Sequence, residues 1–265
     1  MIILPQNVAE VWEVVENKII NYNTQGCKMW IKEYKSSHDV IVEFENGFTK
    51  HTSYQAFKKG EVINNYFPNV VNGHGCLGMS KSKENGKHKK SYLVWRSILV
   101  RCYDKQFHQK ENTYSECSIC QEWENYETFE EWFNKNYYEI SNEKICLDKD
   151  ILIKGNKIYS PNTCIFVPQR INNLFTKTNK KRGDLPIGVS YYPRYKQYTA
   201  YCSIVKENGK KGHKTLGYFN TIEEAFNAYK NFKEKYIKQV ANEYKDYIPI
   251  ELYNALLNYQ VEITD

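Results

Sequence analysis

The stretch Leu147–Cys164, LDKDILIKGNKIYSPNTC, decides how the middle of the chain is read. Continued to Val167 it reads as strand, turn, strand. The run PQRINNLF that follows predicts a short helix with Pro168 in its first turn, where a missing N–H costs nothing. Asp148, Lys149 and Asp150 stand together near the start of this stretch, so two carboxylates flank one cation.

Outward from this hairpin, the chain of 265 residues is long enough for two or three small domains. It carries 37 basic and 31 acidic residues, a net charge of +6. That excess is compatible with nucleic acid and does not demand it. The 23 tyrosines stand out. Tyrosine stacks on bases and reaches phosphate through its hydroxyl. An AT-rich coding sequence explains the same count. No apolar run approaches the ~18 residues of a membrane span. The start, MIILPQNVAEVWEVVENKI, lacks a basic leader and a cleavage site, so a short amphipathic helix after Pro5 is expected there rather than a signal peptide. The eight cysteines are then expected to be reduced and intracellular.

The expected fold class is α+β. Residues 1–78 read as a small β-rich module. In DVIVEFENGFTKH, Val40, Val42 and Phe44 alternate with Ile41, Glu43 and Glu45, and Asn46-Gly47 turns the chain. SYQAFKKG adds a turn or two of helix ended by Gly60. Residues 79–91, with five lysines in SKSKENGKHKKS, read as an exposed basic linker. It is either a solvated loop or an arm for phosphate. Residues 92–176 follow. YLVWRSILVRCY sets Leu93, Trp95, Ile98, Leu99 and Cys102 near one helical face, and ETFEEWFNKNYY sets Phe129, Trp132 and Phe133 at i, i+3 and i+4. A basic joint, TKTNKKRGDLP, leads to residues 185–265. These predict three strands, with turns at Pro193 and Asn208-Gly209. A long helix comes next, capped by Thr221, with Glu223 and Glu224 favouring its dipole. Ala225, Ala228, Tyr229 and Phe232 form its buried stripe.

Two resemblances rest on these residues. Gly188-Val189, Tyr198-Thr199-Ala200, Leu216-Gly217-Tyr218-Phe219, Glu223-Glu224-Ala225 and Ala228-Tyr229 together resemble the ethylene-response-factor DNA-binding domain, which also occurs in phage endonucleases. The resemblance implies a three-stranded sheet laid in the major groove of double-stranded DNA, with a helix behind it. Its candidate contacts are Arg182 in the joint, Tyr192, Arg194, Lys196, Tyr198 and Lys206, then Lys210, Lys211, His213 and Lys214 in the last hairpin.

The sequence LDKDILIKGNKIYSPNTCIFVPQRIN resembles the HNH, or His-Me finger, nucleases in the diverged form common in phage genomes. WRSILVRCY and CQEWENYETFEEWF resemble segments upstream of that hairpin. In the family a histidine activates water while neighbouring groups hold one divalent metal on the scissile phosphate. Carried over, Asp148 falls on the Asp, Lys149 on the His, Asn162 on the second-strand Asn, and Asn172 or Asn173 on the helix residue. The resemblance therefore implies a site of Asp148, Lys149, Asp150, Asn162 and Asn172, with Mg²⁺ on Asp148, Asp150 and Asn172. The departure is Lys149. A lysine is almost wholly protonated at neutral pH and clamps phosphate before it acts as a base. Two readings follow: a metal-dependent homing or nicking endonuclease that works without its histidine, or a nuclease frame that now only binds DNA. His108 is expected in a loop, and the other histidines show no metal-ligand spacing. Cys117-Ser-Ile-Cys120 with Cys102 and Cys164 is a zinc candidate, against buried thiols or redox chemistry. A third class of function is a phage factor binding a host protein through residues 1–78. The family resemblance places the protein in the bacterial cytoplasm.

Overall fold

The structure is a computed structural model. It describes residues 14–15, 18–175, 185–205 and 211–265. The helix expected after Pro5 and the turn at Asn208-Gly209 lie outside these residues. The fold is mixed α and β and divides into two compact units, Met1–Lys135 and Asn136–Asp265.

The first unit begins with an antiparallel meander. The two-residue β1 (Val14–Val15) pairs with β2 (Lys18–Tyr22), which continues into β3 (Lys28–Ser36), β4 (Asp39–Phe44) and β5 (Thr49–Thr52). The alternation read along β4 is realised: Val40, Val42 and Phe44 are buried, facing Met29 and Ile31 across the sheet. Helix α1 (Tyr54–Lys58) closes this core with Phe57, its start held by the Ser53 side chain, which accepts the Ala56 N–H.

The lysine-rich run is exposed, but its centre is a hairpin, β6 (Lys83–Glu84) and β7 (Lys87–His88), turning at Asn85-Gly86. Ser91, expected at the end of a linker, lies buried inside α2 (Lys90–Tyr103), where its hydroxyl bonds the Tyr126 hydroxyl and donates to the Glu130 carboxylate. Beyond α3 (Lys105–Lys110) and β8 (Ser118–Ile119) comes α4 (Tyr126–Asn136). Trp95 of α2 donates its indole N–H to the Trp123 carbonyl, and Trp123 packs edge-on to Phe129. Leu93, read from the sequence as part of the buried face of α2, is exposed instead.

The second unit opens with a ββα arrangement. Strand β9 (Ile145–Asp148) runs into a long loop containing the short β10 (Ile158–Tyr159), and β11 (Ile165–Pro168) returns antiparallel to β9, with Asp148 opposite Ile165. Helix α5 (Gln169–Asn172) follows at once. Then come β12 (Val189–Tyr192), β13 (Gln197–Val205) and β14 (Lys211–Phe219), an antiparallel sheet in that order. The helix α6 (Ile222–Glu243) carries the expected cap. Thr221 accepts the Glu224 N–H and Glu224 accepts the Thr221 N–H in return. A further helix that the sequence reading left out, α7 (Ile250–Leu257), completes the unit.

At 22 residues α6 is about 33 Å long and carries two cores. Its first half sets Ala225, Phe226 and Tyr229 against Val189, Ala200 and Cys202 of the sheet. The fit is close at Gly188, where a β-carbon would fall 2.1 Å from the Tyr229 ring. Its second half sets Tyr236, Ile237, Val240 and Ala241 against Ile151, Val167, Ile171 and Leu174 of the ββα element and Leu252 and Leu256 of α7. The division between the two units at Lys135/Asn136 falls inside the span 92–176, and the hairpin of that span shares its core with the helix of 185–265.

Candidate nucleic-acid interface

The three-stranded sheet buries one face on α6, and strand alternation leaves the other free. Ala200 and Cys202 face the helix, so Thr199, Tyr201 and Ser203 face outward. The register then brings Ser190, Thr199 and Tyr218 into one outer row, Tyr201 and Thr215 into the next, and Ser203 and His213 into a third. The Ser203 hydroxyl lies 3.2 Å from His213 Nδ1. At the β12–β13 end, Tyr192, Tyr195 and Tyr218 gather with ring centroids 5.3–6.5 Å apart. Arg194 lies 5.6 Å from the Tyr195 ring, and Lys196 turns the chain at φ 54°.

Charge on this element is one-sided. From Ile187 to Phe219 the sequence holds Arg194, Lys196, Lys206, Lys210, Lys211 and Lys214, against the single acid Glu207. No carboxylate stands on the outer face among the described residues.

The structure sorts the expected contact residues. Tyr192, Arg194, Lys196 and His213 stand on the outer face or at its rim. Tyr198 and Lys214 do not. Tyr198 packs partly against the helix-side core, and the Lys214 ammonium lies 4.9 Å from the Phe232 ring of α6. Tyr198 shares the helix-side facing of Ala200 and Cys202 by strand alternation, whereas for Lys214 the cause is a bulge. Ala200 pairs with Gly217 but Tyr201 pairs with Thr215, which leaves Leu216 extra and inverts the facing of β14. Gly217 makes this possible at φ +149°. Tyr195, Tyr201 and Tyr218 were missed as outward residues. Arg182, Lys206, Lys210 and the side chain of Lys211 lie outside the described residues.

The turn after β9 has a different character. Asp148 Oδ1 accepts the backbone N–H groups of Asp150 and Ile151 at 2.9 and 2.8 Å. Burial pushes the Asp148 carboxyl up to about 6; the charge of Asp150 adds to this, and the two backbone donors oppose it. Lys149 keeps only 12% of its side chain exposed, with its ammonium 3.3 Å from Asp150 Oδ2 and 5.9 Å from the Tyr159 ring centroid. The Asn156 amide donates to the carbonyls of Lys149 and Ile158, both at 2.7 Å. Thr163 joins Ser160 and the Ile158 carbonyl at 2.8 Å each. Lys154 bonds Asp265 at 2.8 Å and ties the turn to the end of the chain. Asn162 is exposed in the turn before β11, and Asn172 ends α5 half-buried.

No family model, no curated protein and no solved structure matches the chain.

Asp148 holds its own backbone and Asp150 holds Lys149, so both carboxylates already serve the turn. Among the described residues no three His, Cys, Asp or Glu side chains converge as a metal set, at this turn or at the cysteines. Cys102, Cys117 and Cys120 belong to the first unit and Cys164 to the second; three of them are buried and Cys120 is half-buried. A cation at the turn after β9 would have to compete with the bonds that Asp148 and Asp150 already make.

Proposed function

We propose that this is a DNA-binding protein of the phage HNH-endonuclease type whose nuclease chemistry is weakened or lost. The observation that carries the binding is the outer face of the β12–β13–β14 sheet. It is free of carboxylates among the described residues, lined with tyrosines and hydroxyls, and rimmed by Arg194 and Lys196. Such a face suits a polyanion. Basic side chains meet phosphate, hydroxyls add hydrogen bonds, and aromatic rings take base or sugar surface. The order β9, β11, α5 supports the diverged His-Me finger as the ancestry of the hairpin. The packing of Lys149 and the turn-bound Asp148 support weakened chemistry, because neither is poised as a free base.

Fluorescence anisotropy with a labelled duplex of about 25 base pairs tests the binding. With about four phosphates neutralised, affinity falls about 100-fold between 50 and 200 mM salt. Replacing Arg194 and Lys196 with Glu weakens binding to every duplex sequence alike. An affinity that ignores salt sinks the proposal. Supercoiled plasmid incubated with Mg²⁺ or Mn²⁺ stays intact on this reading. Nicking that disappears in Asp148→Ala would instead make the hairpin a working nuclease.

A further inference from the structure

The tyrosine cluster at the β12–β13 end does not suit ordinary duplex readout. Reading base edges in a major groove takes forked side chains such as Arg, Asn or Gln. Here the one outward amide among the described strand residues, Gln197, is tied to Asn220 at 3.2 Å, and Arg194 lies beside the Tyr195 ring. What the cluster offers is aromatic surface. Tyr195 and Tyr218 are 56% and 53% exposed, and Tyr192 is also exposed. None of the three hydroxyls makes a hydrogen bond to a described residue. The rings are tilted 39–80° to one another rather than stacked in parallel, so ring faces are left open to solvent. Beside them Thr199, the cross-strand partner of Tyr218, buries its hydroxyl without a partner, a cost that a patch built only for packing would avoid.

We propose that Tyr192, Tyr195 and Tyr218 form a stacking site for an unpaired base, so that the sheet prefers DNA carrying a bulged or extrahelical nucleotide over a perfect duplex. This rests on the DNA-binding reading above and specifies its target class. The occupant follows from charge and chemistry together. Arg194 and Lys196 lie within the same hairpin turn to meet the flanking phosphates, and every base has a face that an open ring can take.

The test uses the full chain and two duplexes identical except that one carries a single extra 2-aminopurine. Anisotropy measures affinity and 2-aminopurine fluorescence reports stacking. The bulged duplex binds about 10-fold tighter, and its fluorescence is quenched on binding. Tyr195→Ser with Tyr218→Ser abolishes the quenching and brings the two duplexes to equal affinity. Tyr195→Phe with Tyr218→Phe, which keeps the rings, retains both, and circular dichroism confirms that each variant is folded. Equal affinity of the unmodified chain for the two duplexes, without quenching, overturns the stacking site and leaves duplex binding standing. Failure to bind either duplex overturns the DNA reading itself.

Discussion

The outer sheet face and the β9–β11 turn are carried by opposite halves of one helix, and they treat polar groups in opposite ways. On the sheet face the Tyr192, Tyr195 and Tyr218 hydroxyls and the Arg194 and Lys196 charges are left without described carboxylate partners. In the turn, Asp148, Lys149, Asn156 and Thr163 are satisfied by one another and by nearby backbone. A polar group held inside a protein shapes the fold, while one left at the surface can be matched by a partner. The difference supports the proposed division, recognition at the sheet and architecture at the turn, although the turn carries the more suggestive sequence.

The largest effect is expected where the two regions meet. Ile237 of α6 is buried in the core shared by the ββα element and α7. Ile237→Ala is expected to cost about 3 kcal/mol and to lower the melting midpoint by about 10 °C. If α6 makes the second unit cooperative, sheet and hairpin lose structure in one transition. Two transitions, with the sheet's unchanged, would break the comparison by showing that the regions stand independently.

A smaller effect probes the turn through its pH dependence. The folded Asp148 carboxyl is raised to about 6, above its unfolded value near 3.9. Its contribution is therefore fully present below about pH 4 and lost as pH rises through 6. Asp148→Asn keeps an oxygen for the Asp150 and Ile151 N–H groups and removes the charge. Allowing for partial solvent contact, the variant should be about 1 kcal/mol more stable than the parent at pH 7.5, and equal to it at pH 4. Denaturant unfolding at the two pH values checks this. A variant less stable at pH 7.5 would mean that the ionised carboxylate is needed, and the turn would regain its claim to a cation.

What could be read in advance follows the range of each interaction. Val40, Val42 and Phe44 announce β4 because alternation is local, and Thr221 with Glu224 announces the start of α6 because a cap spans four residues. The facing of Lys214 and His213 was hidden by the bulge at Leu216, a single residue that inverts everything beyond it on β14. The joint core along α6 was hidden because Ile151 and Val240 join one cluster across 89 residues of sequence, and no local pattern names that partner. The hairpin motif was legible as a hairpin. Its chemistry was not, because Asn156, Ser160 and Thr163 read equally as ligands or as braces until their acceptors were seen.

The smallest effect is expected at the residue that first suggested a catalytic turn. If Lys149 clamped phosphate, removing it would weaken DNA binding by 10-fold or more and lower the salt slope by about one ion. Its packing argues otherwise. The stem is largely buried against the turn, and the ammonium faces Asp150 and the Tyr159 ring rather than standing free. Lys149→Ala should therefore change duplex affinity by less than about 3-fold with an unaltered salt slope, while Lys196→Ala lowers that slope by about one. Stability should move more than binding, by about 1 kcal/mol. The two variants measured side by side across a salt series separate the regions directly. A Lys149 slope change as large as that of Lys196 would mean that the turn touches DNA as closely as the sheet does, and recognition would have to be shared between them.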